Sequence, residues 1–425
     1  MKASDPDAVL ARIASLHPAA IDPGLTRLRR VAGRAGLARP GVPLAIVAGT
    51  NGKGSTVTML GAVWQAAGHR VGTSTSPHLV RFNERIRIDG VPVSDACLLK
   101  AIATLEPHIA PDTLTYFEIA TLAAMACFRA QAVDAIVLEV GLGGRLDAAN
   151  LWDADVAILT SVALDHAEWL GTDLEHIAME KAAVARRGGA LIVGASPVPA
   201  SLGPFARANG IELVIVDSDG VPELPRLPGE HQRRNAACAI EAVGRMASRL
   251  PVTAEQLRRG LRGARIEARM QRLQRDGVEV CLDVAHNPHA ASALATALGQ
   301  GAGQGAGQAA SQGAGEGTGD KGWHLIFAAL ADKDIEGIVR ALAPIARSFA
   351  CPDIDGARAL PASQLAARVR AALDDASVPV SACASVRDAD ALALSRARAR
   401  GGGVLVAGSF LTVGGWLDLR AAAGP

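Results

Sequence analysis

Four short runs of nearly unbroken apolar residues constrain this chain most: PLAIVAG at 43–49, DAIVLEVG at 134–141, DVAILTSV at 155–162 and ALIVGA at 190–195. A strand with one face in water would alternate polar and apolar residues. These runs do not alternate, so they read as strands covered on both faces. Alanine-rich stretches of helical pattern lie between them. Strand and helix in alternation imply an α/β fold with a mostly parallel sheet.

The pattern restarts further on, with VEVCLDVAHNP at 278–288, WHLIFAAL at 323–330, VPVSACASV at 378–386 and GGVLVAGS at 402–409. Between the two sets, LPGEHQRRNAACAIEAVGRMASRL at 227–250 reads as a turn and a helix. A chain of 425 residues exceeds what one ordinary core holds. Two domains are therefore expected, 1–265 and 266–425. The segment 299–322 is almost entirely Gly, Ala, Gln and Ser. Too little apolar surface is available there to offset the entropy of ordering, so it is expected to be a flexible insertion in the second domain.

The formal charge of +1 gives no broad field for nucleic acid or an anionic membrane, and 3% aromatics provide no stacking platform for single strands. No apolar run is long enough to span a bilayer, and MKASDPDAVL at the start has no signal-peptide core. A cytoplasmic location is the expectation. The cysteines, Cys97, Cys127, Cys238, Cys281, Cys351 and Cys383, form no close pair with metal-ligand spacing and read as buried free thiols.

After the first strand comes VAGTNGKGSTVTML at 47–60. A strand, a glycine-rich turn and a helix form the context of a phosphate loop, where unpaired N–H groups and the helix dipole favour an anion. The spacing departs from the common pattern of glycine, four residues, then Gly-Lys-Ser/Thr. Val47 stands at the first glycine position and Gly54 follows Lys53. Lys53 could reach terminal phosphates, and Ser55 or Thr56 could bind phosphate or approach Mg²⁺. The alternative is a plain turn with one exposed lysine.

Ligands in α/β sheets gather at the carboxyl ends of strands. Glu139 stands at such an end after four apolar residues. It suits Mg²⁺, and equally a salt bridge with Arg145. Asp165 and His166 follow the next strand, and Lys181 lies on an expected helix, where lysines are usually surface charges. Asp283, His286 and Asn287 follow a strand of the second domain, and Asp332, Lys333 and Asp334 repeat that arrangement.

In order along the chain, GTNGKGST, TSPHLVRFNERIRIDG, TYFEIATLAA, LEVGLGGRLDAAN, TSVALDH, EKAAV, DVAHNP and GSFLTVGG resemble folylpolyglutamate synthases, within the wider Mur ligase superfamily. The resemblance covers nearly the whole chain outside 299–322. LHPAAIDPGLTRLRRVA at 16–32 is similar to the bifunctional bacterial form, which is also a dihydrofolate synthase. The resemblance implies an N-terminal P-loop ATPase domain carrying a pteroate-binding segment, and a Rossmann-like C-terminal glutamate-ligase domain. It implies ATP-dependent joining of L-glutamate to dihydropteroate and to the γ-carboxylate of reduced folates, through an acyl phosphate.

The site residues follow by the same resemblance. Gly49, Thr50, Asn51, Gly52, Lys53, Gly54, Ser55 and Thr56, with Asn235, Arg269 and Asp283, would bind ATP. Ser76 and Glu139 would hold one Mg²⁺, and His166 with Glu139 a second. Leu25, Phe117, Asp147 and Ala148 would face the folate. Lys181 matches a carbamylated lysine, and Lys53, Glu139, His166, Lys181, Asp283 and His286 form the implied catalytic set. Where the family often has Pro-Gly-Arg, this chain has Glu267-Ala268-Arg269, and GSFLTVGG matches only in part. A monomer is expected. The competing readings are a monofunctional folylpolyglutamate synthase, another Mur-type amino-acid ligase, and a non-catalytic nucleotide switch.

Overall fold

The computed structural model describes residues 5–19, 21–219, 221, 229, 231–300, 322–356 and 358–422. Apart from its ends, the expected insertion at 299–322 lies outside these residues. The chain divides into two compact units, one reaching Ile266 and the other starting from Glu267.

The first unit is built on β1 (Leu44–Ala48), β2 (Val71–Ser74), β3 (Ile86–Ile88), β4 (Val91–Pro92), β5 (Ala135–Glu139), β6 (Val156–Leu159), β7 (Ala190–Val193) and β8 (Glu212–Ile215). They form one sheet in the order β4-β3-β2-β5-β1-β6-β7-β8. Pairing is parallel from β2 through β8, and β3 and β4 add an antiparallel edge. All four apolar runs of the first set are strands. Successive β1 residues serve opposite faces: Leu44, Ile46 and Ala48 enter one apolar core, Ala45 and Val47 the other. Both faces are covered, which is why these runs need no polar alternation.

The second unit contains β9 (Gln271–Arg275), β10 (Val278–Leu282), β11 (Trp323–Phe327), β12 (Ala346–Pro352), β13 (Val380–Cys383) and β14 (Gly403–Ala407). Their order is β13-β12-β11-β14-β10-β9, parallel except for the β9–β10 hairpin. Leu325, Phe327, Phe349 and Leu405 anchor its core.

The sequence pattern missed β2, β3, β4, β8, β9 and β12. Gln271–Arg275 and Glu212–Ile215 are polar or half-exposed, and β4 has only two residues. Such edge strands lack the unbroken apolar signal of the centre. Five of the cysteines are buried and Cys97 is half-buried, and all six are free. Among the described residues no helix is long and apolar enough to cross a membrane.

Candidate active site

Strand order assembles the first unit's polar residues. At the carboxyl edge, β2, β5, β1 and β6 are consecutive neighbours. The segments leaving them carry Ser76, Glu139, the 49–56 loop and Asp165–His166 in turn. Residues far apart in sequence therefore end side by side.

The loop runs into the helix Lys53–Ala66, whose N-cap is Gly52 with φ 86°. A Cβ at Gly52 would collide with the Asn235 carboxamide. That position therefore needs glycine both for its left-handed backbone and for its close neighbour. Asn235 lies on the helix His231–Arg245 and its amide nitrogen donates to Gln232 Oε1 at 2.9 Å. The loop is clamped to the segment after β6. Thr160 Oγ1 donates to Asn51 O at 2.7 Å, Asn51 N to Ser161 Oγ at 2.9 Å, and Thr50 N to Ser161 O at 2.9 Å. Lys53 Nζ donates to the carbonyls of Gly49 and Thr50 at 3.0 and 3.1 Å. It therefore lies over the loop and is not an exposed surface lysine. Ser55 and Thr56 are buried, and Thr56 Oγ1 donates to Gly52 O at 3.0 Å within its own helical turn.

Glu139 is buried and its Oε2 accepts the Ser76 N–H at 2.9 Å. A Cβ placed on Gly54 would lie 3.6 Å from that same oxygen, so carboxylate, Ser76 and loop meet at one corner. The alternative partner, Arg145, instead pairs with Glu180 at 2.8 Å. His166 takes a left-handed backbone, φ 51°, and its N–H donates to Asp165 Oδ1 at 2.9 Å. Among the described residues no three His, Cys, Asp or Glu side chains gather as a complete metal cage. One buried carboxylate and a serine fit Mg²⁺, which keeps waters and takes oxygens from substrate phosphates.

Lys181 is on the helix Leu174–Ala182 but is only 5% exposed, which removes its reading as a surface charge. Burial, and next the charge of Lys53, push its amine down to about 7, against the carboxylates of Asp165, Asp147 and Glu180. Asp147 accepts N–H groups from Gly141, Leu142 and Ala149 at 3.1, 2.9 and 2.9 Å, yet burial still raises it to about 6. Desolvation outweighs three donors there. Ala148 begins the short helix after Asp147. The Phe117 ring packs where Gly141 lacks a side chain, and Leu25 and Phe117 lie against the same core.

The second unit gathers its own cluster. Buried Asp283 accepts Met270 N at 2.9 Å and Ala285 N at 2.8 Å. Burial raises its pKa, while Arg269 and His286 oppose the shift. His286 Nδ1 lies 2.8 Å from Val284 O, a carbonyl that can only accept, so Nδ1 carries the proton. Arg269 stacks 5.3 Å from the Phe410 centroid, and the His286 ring is 5.9 Å from it. Phe410, from the partly matching GSFLTVGG, joins these residues although its position in the motif gave no role. The polar trio at 332–334 is partly structural. Asp334 caps the helix Ile335–Leu342 through Gly337 N at 2.8 Å, and Asp332 pairs with Arg358. Asn287 likewise accepts Ala290 N at 2.9 Å and caps the helix after it. Ala268 adopts φ 54°, so alanine here occupies a glycine-like backbone.

Comparison with known proteins follows the same lines. The Mur ligase middle domain family matches residues 47–193, and the Mur ligase, glutamate ligase domain family matches residues 268–410. The chain is 36% identical over 423 residues to the dihydrofolate synthase/folylpolyglutamate synthase of Escherichia coli (strain K12), covering 95% of this chain and 93% of that one. It is 30% identical to the Mycobacterium tuberculosis protein of the same name, covering 93% and 89%. Its structure is similar to Escherichia coli FolC in complex with DHPP and ADP, with TM-score 0.85, 34% identity and 99% of both chains covered. It is also similar to the Yersinia pestis bifunctional folylpolyglutamate synthase/dihydrofolate synthase complexed with AMPPNP and Mn ion, with TM-score 0.84, 34% identity and 99% and 98% covered.

Two outcomes follow from this geometry. Lys181 has a folded pKa of about 7 against an ordinary 10.5, so the unfolded chain binds more protons between those values. Stability therefore rises with pH across that window. Lys181→Met is expected to melt at a higher temperature than wild type at pH 7 and to flatten the slope between pH 7 and 10, measured by thermal unfolding without bicarbonate. Ala268→Gly is expected to stabilise the second unit by about 1 kcal/mol, because the left-handed backbone no longer opposes a Cβ. Denaturant unfolding checks it, and an unchanged midpoint would show that Ala268 carries no strain.

Proposed function

We propose a division of labour among these side chains from the premise that this chain belongs to the dihydrofolate synthase/folylpolyglutamate synthase family of Mur ligases. The activity is ATP-dependent ligation of L-glutamate to dihydropteroate and to the γ-carboxylate of reduced folates. An acceptor carboxylate oxygen attacks the γ-phosphorus of ATP, and the bond from that phosphorus to the ADP oxygen breaks. The glutamate amine then attacks the acyl carbon of the mixed anhydride. The carbon–oxygen bond to phosphate breaks, phosphate leaves and the new amide nitrogen loses a proton.

Neither step requires a covalent link to the protein, so the work is positioning and charge neutralisation. The 49–56 loop directs its N–H groups at the β- and γ-phosphates, and Lys53 turns from its own loop carbonyls to the phosphate oxygens. Asn235 borders the loop and holds the nucleotide. Ser76 and Glu139 hold one Mg²⁺, and Glu139 with His166 a second. Such ions supply positive charge between two anions that otherwise repel. Leu25, Phe117, Asp147 and Ala148 take the pteroate. In the second unit, Arg269 and Asp283 serve the nucleotide, and His286 with Asp283 serves the glutamate. The enzyme works as a cytoplasmic monomer.

The adjacency of Ser76, Glu139 and Gly54 at neighbouring strand ends carries this reading. Purified enzyme is expected to release ADP only when glutamate is added, with both dihydropteroate and tetrahydrofolate. ADP release with tetrahydrofolate alone would mark a monofunctional enzyme, and release with neither acceptor would overturn the ligase assignment. Glu139→Gln is expected to lower turnover by about 100- to 1,000-fold while leaving the melting temperature unchanged.

Lys181 serves as its carbamate. A buried amine whose neutral form is accessible near pH 7 can attack carbon dioxide, forming an N–C bond and releasing one proton. The product is an anion that draws on neighbouring Lys53. Carbon-13 NMR after equilibration with labelled bicarbonate is expected to give a carbamate signal that Lys181→Met abolishes. A signal equally strong in both proteins would exclude this lysine.

A further inference from the structure

Arg85 has no part in the assignments above. It ends the short helix Phe82–Arg85, and its carbonyl accepts Thr75 N at 2.8 Å, one residue before Ser76. The strand that follows it, β3, pairs with β2 through Ser74↔Ile86. These bonds fix Arg85 beside the corner where Ser76 meets Glu139. Its guanidinium lies 5.4 Å from the Phe82 ring centroid and 5.6 Å from that of Tyr116. Tyr116 immediately precedes Phe117, so the same guanidinium borders the pteroate side.

Its hydrogen bonding is incomplete. Nε donates to His78 Nδ1 at 2.9 Å, which fixes the plane of the fork. A guanidinium N–H can only donate, so His78 Nδ1 is the acceptor in this bond. Nearby arginines have carboxylate partners, Arg81 with Asp95 and Arg145 with Glu180. Among the described residues Arg85 forms no ion pair, and neither Nη makes a hydrogen bond. Burial pushes its pKa down, only partly offset by Tyr116, Asp7, Glu139 and Glu84. Arginine stays protonated even so. A half-buried, ring-flanked guanidinium with both Nη groups open matches the bidentate geometry of a carboxylate.

We propose that Arg85 grips the acceptor carboxylate, that of dihydropteroate or the terminal γ-carboxylate of a folate, and aligns it for phosphorylation. This rests on the ligase reading. A carboxamide in the same place would set its NH₂ against an Nη–H, donor against donor. Arg85 is thus a substrate-binding residue that selects for ionised acceptors.

The test compares dihydropteroate with its carboxamide in calorimetric titrations, with a non-hydrolysable ATP analogue and Mg²⁺ present. Wild type is expected to prefer the carboxylate by about 10- to 100-fold. Arg85→Gln is expected to bind both within about twofold while its affinity for the ATP analogue is unchanged. Retention of the wild-type preference in R85Q would overturn the proposal. Should R85Q not fold, Arg85→Lys keeps the cation and loses the fork. Its preference is expected to fall at least about fivefold, and an unchanged value would equally overturn the assignment. Glutamate-dependent ADP release by wild type is measured on the same preparation. Its absence refutes the ligase reading itself, whereas turnover with full discrimination in R85Q refutes only the role of Arg85.

Discussion

Everything at the candidate site depends on the parallel register of four central strands. Val47 sits opposite Glu139 on one side and Ile158 on the other, so β5, β1 and β6 end at one level. A slip of one residue would exchange the two faces of a strand and turn Glu139 away from Ser76 and Gly54. Two apolar cores hold that register from opposite sides of the sheet. The chemistry is thus secured by Leu, Ile, Val and Ala side chains that never touch a substrate.

The same edge gathers charge against its own stability. Lys53 and Lys181 repel each other, and Lys181 and Asp147 lose hydration by burial. Backbone N–H groups of Gly141, Leu142 and Ala149 donate to the Asp147 carboxylate. Such an arrangement favours a ligand over isolation, because a phosphate or a divalent cation supplies the missing counter-charge. Stability and activity therefore draw on the same residues in opposite directions.

Much of this was legible in the residues. Unbroken apolar runs gave the central strands, since burial on both faces leaves a signal that needs no partner. The mismatch at Val47 and Gly54 set the loop apart from the common phosphate-loop pattern, and beside it Glu139 meets Ser76 and Gly54. What the sequence hid were properties set by tertiary surroundings. Lys181 reads as an ordinary helical lysine until the packing around it removes water. Asp332 and Asp334 read as a repeated site and turn out to be an ion pair and a helix cap. Arg85 lies within a recognisable motif, but nothing local says that its guanidinium lacks a carboxylate. The edge strands β8 and β9 were missed for the opposite reason, since half-exposed strands carry too little apolar pattern to be read alone.

The helix Pro288–Gln300 returns the chain to the edge of the second sheet where β11 begins at Trp323. Asp283, His286 and Phe410 leave from the other edge, where β10 and β14 finish. In a parallel sheet the length of a helix-to-strand connection is independent of the loops that follow the strands. The edge where these strands begin is therefore the natural place to attach a fluorophore or an affinity handle to this enzyme, since Asp283, His286 and Phe410 leave from the opposite one.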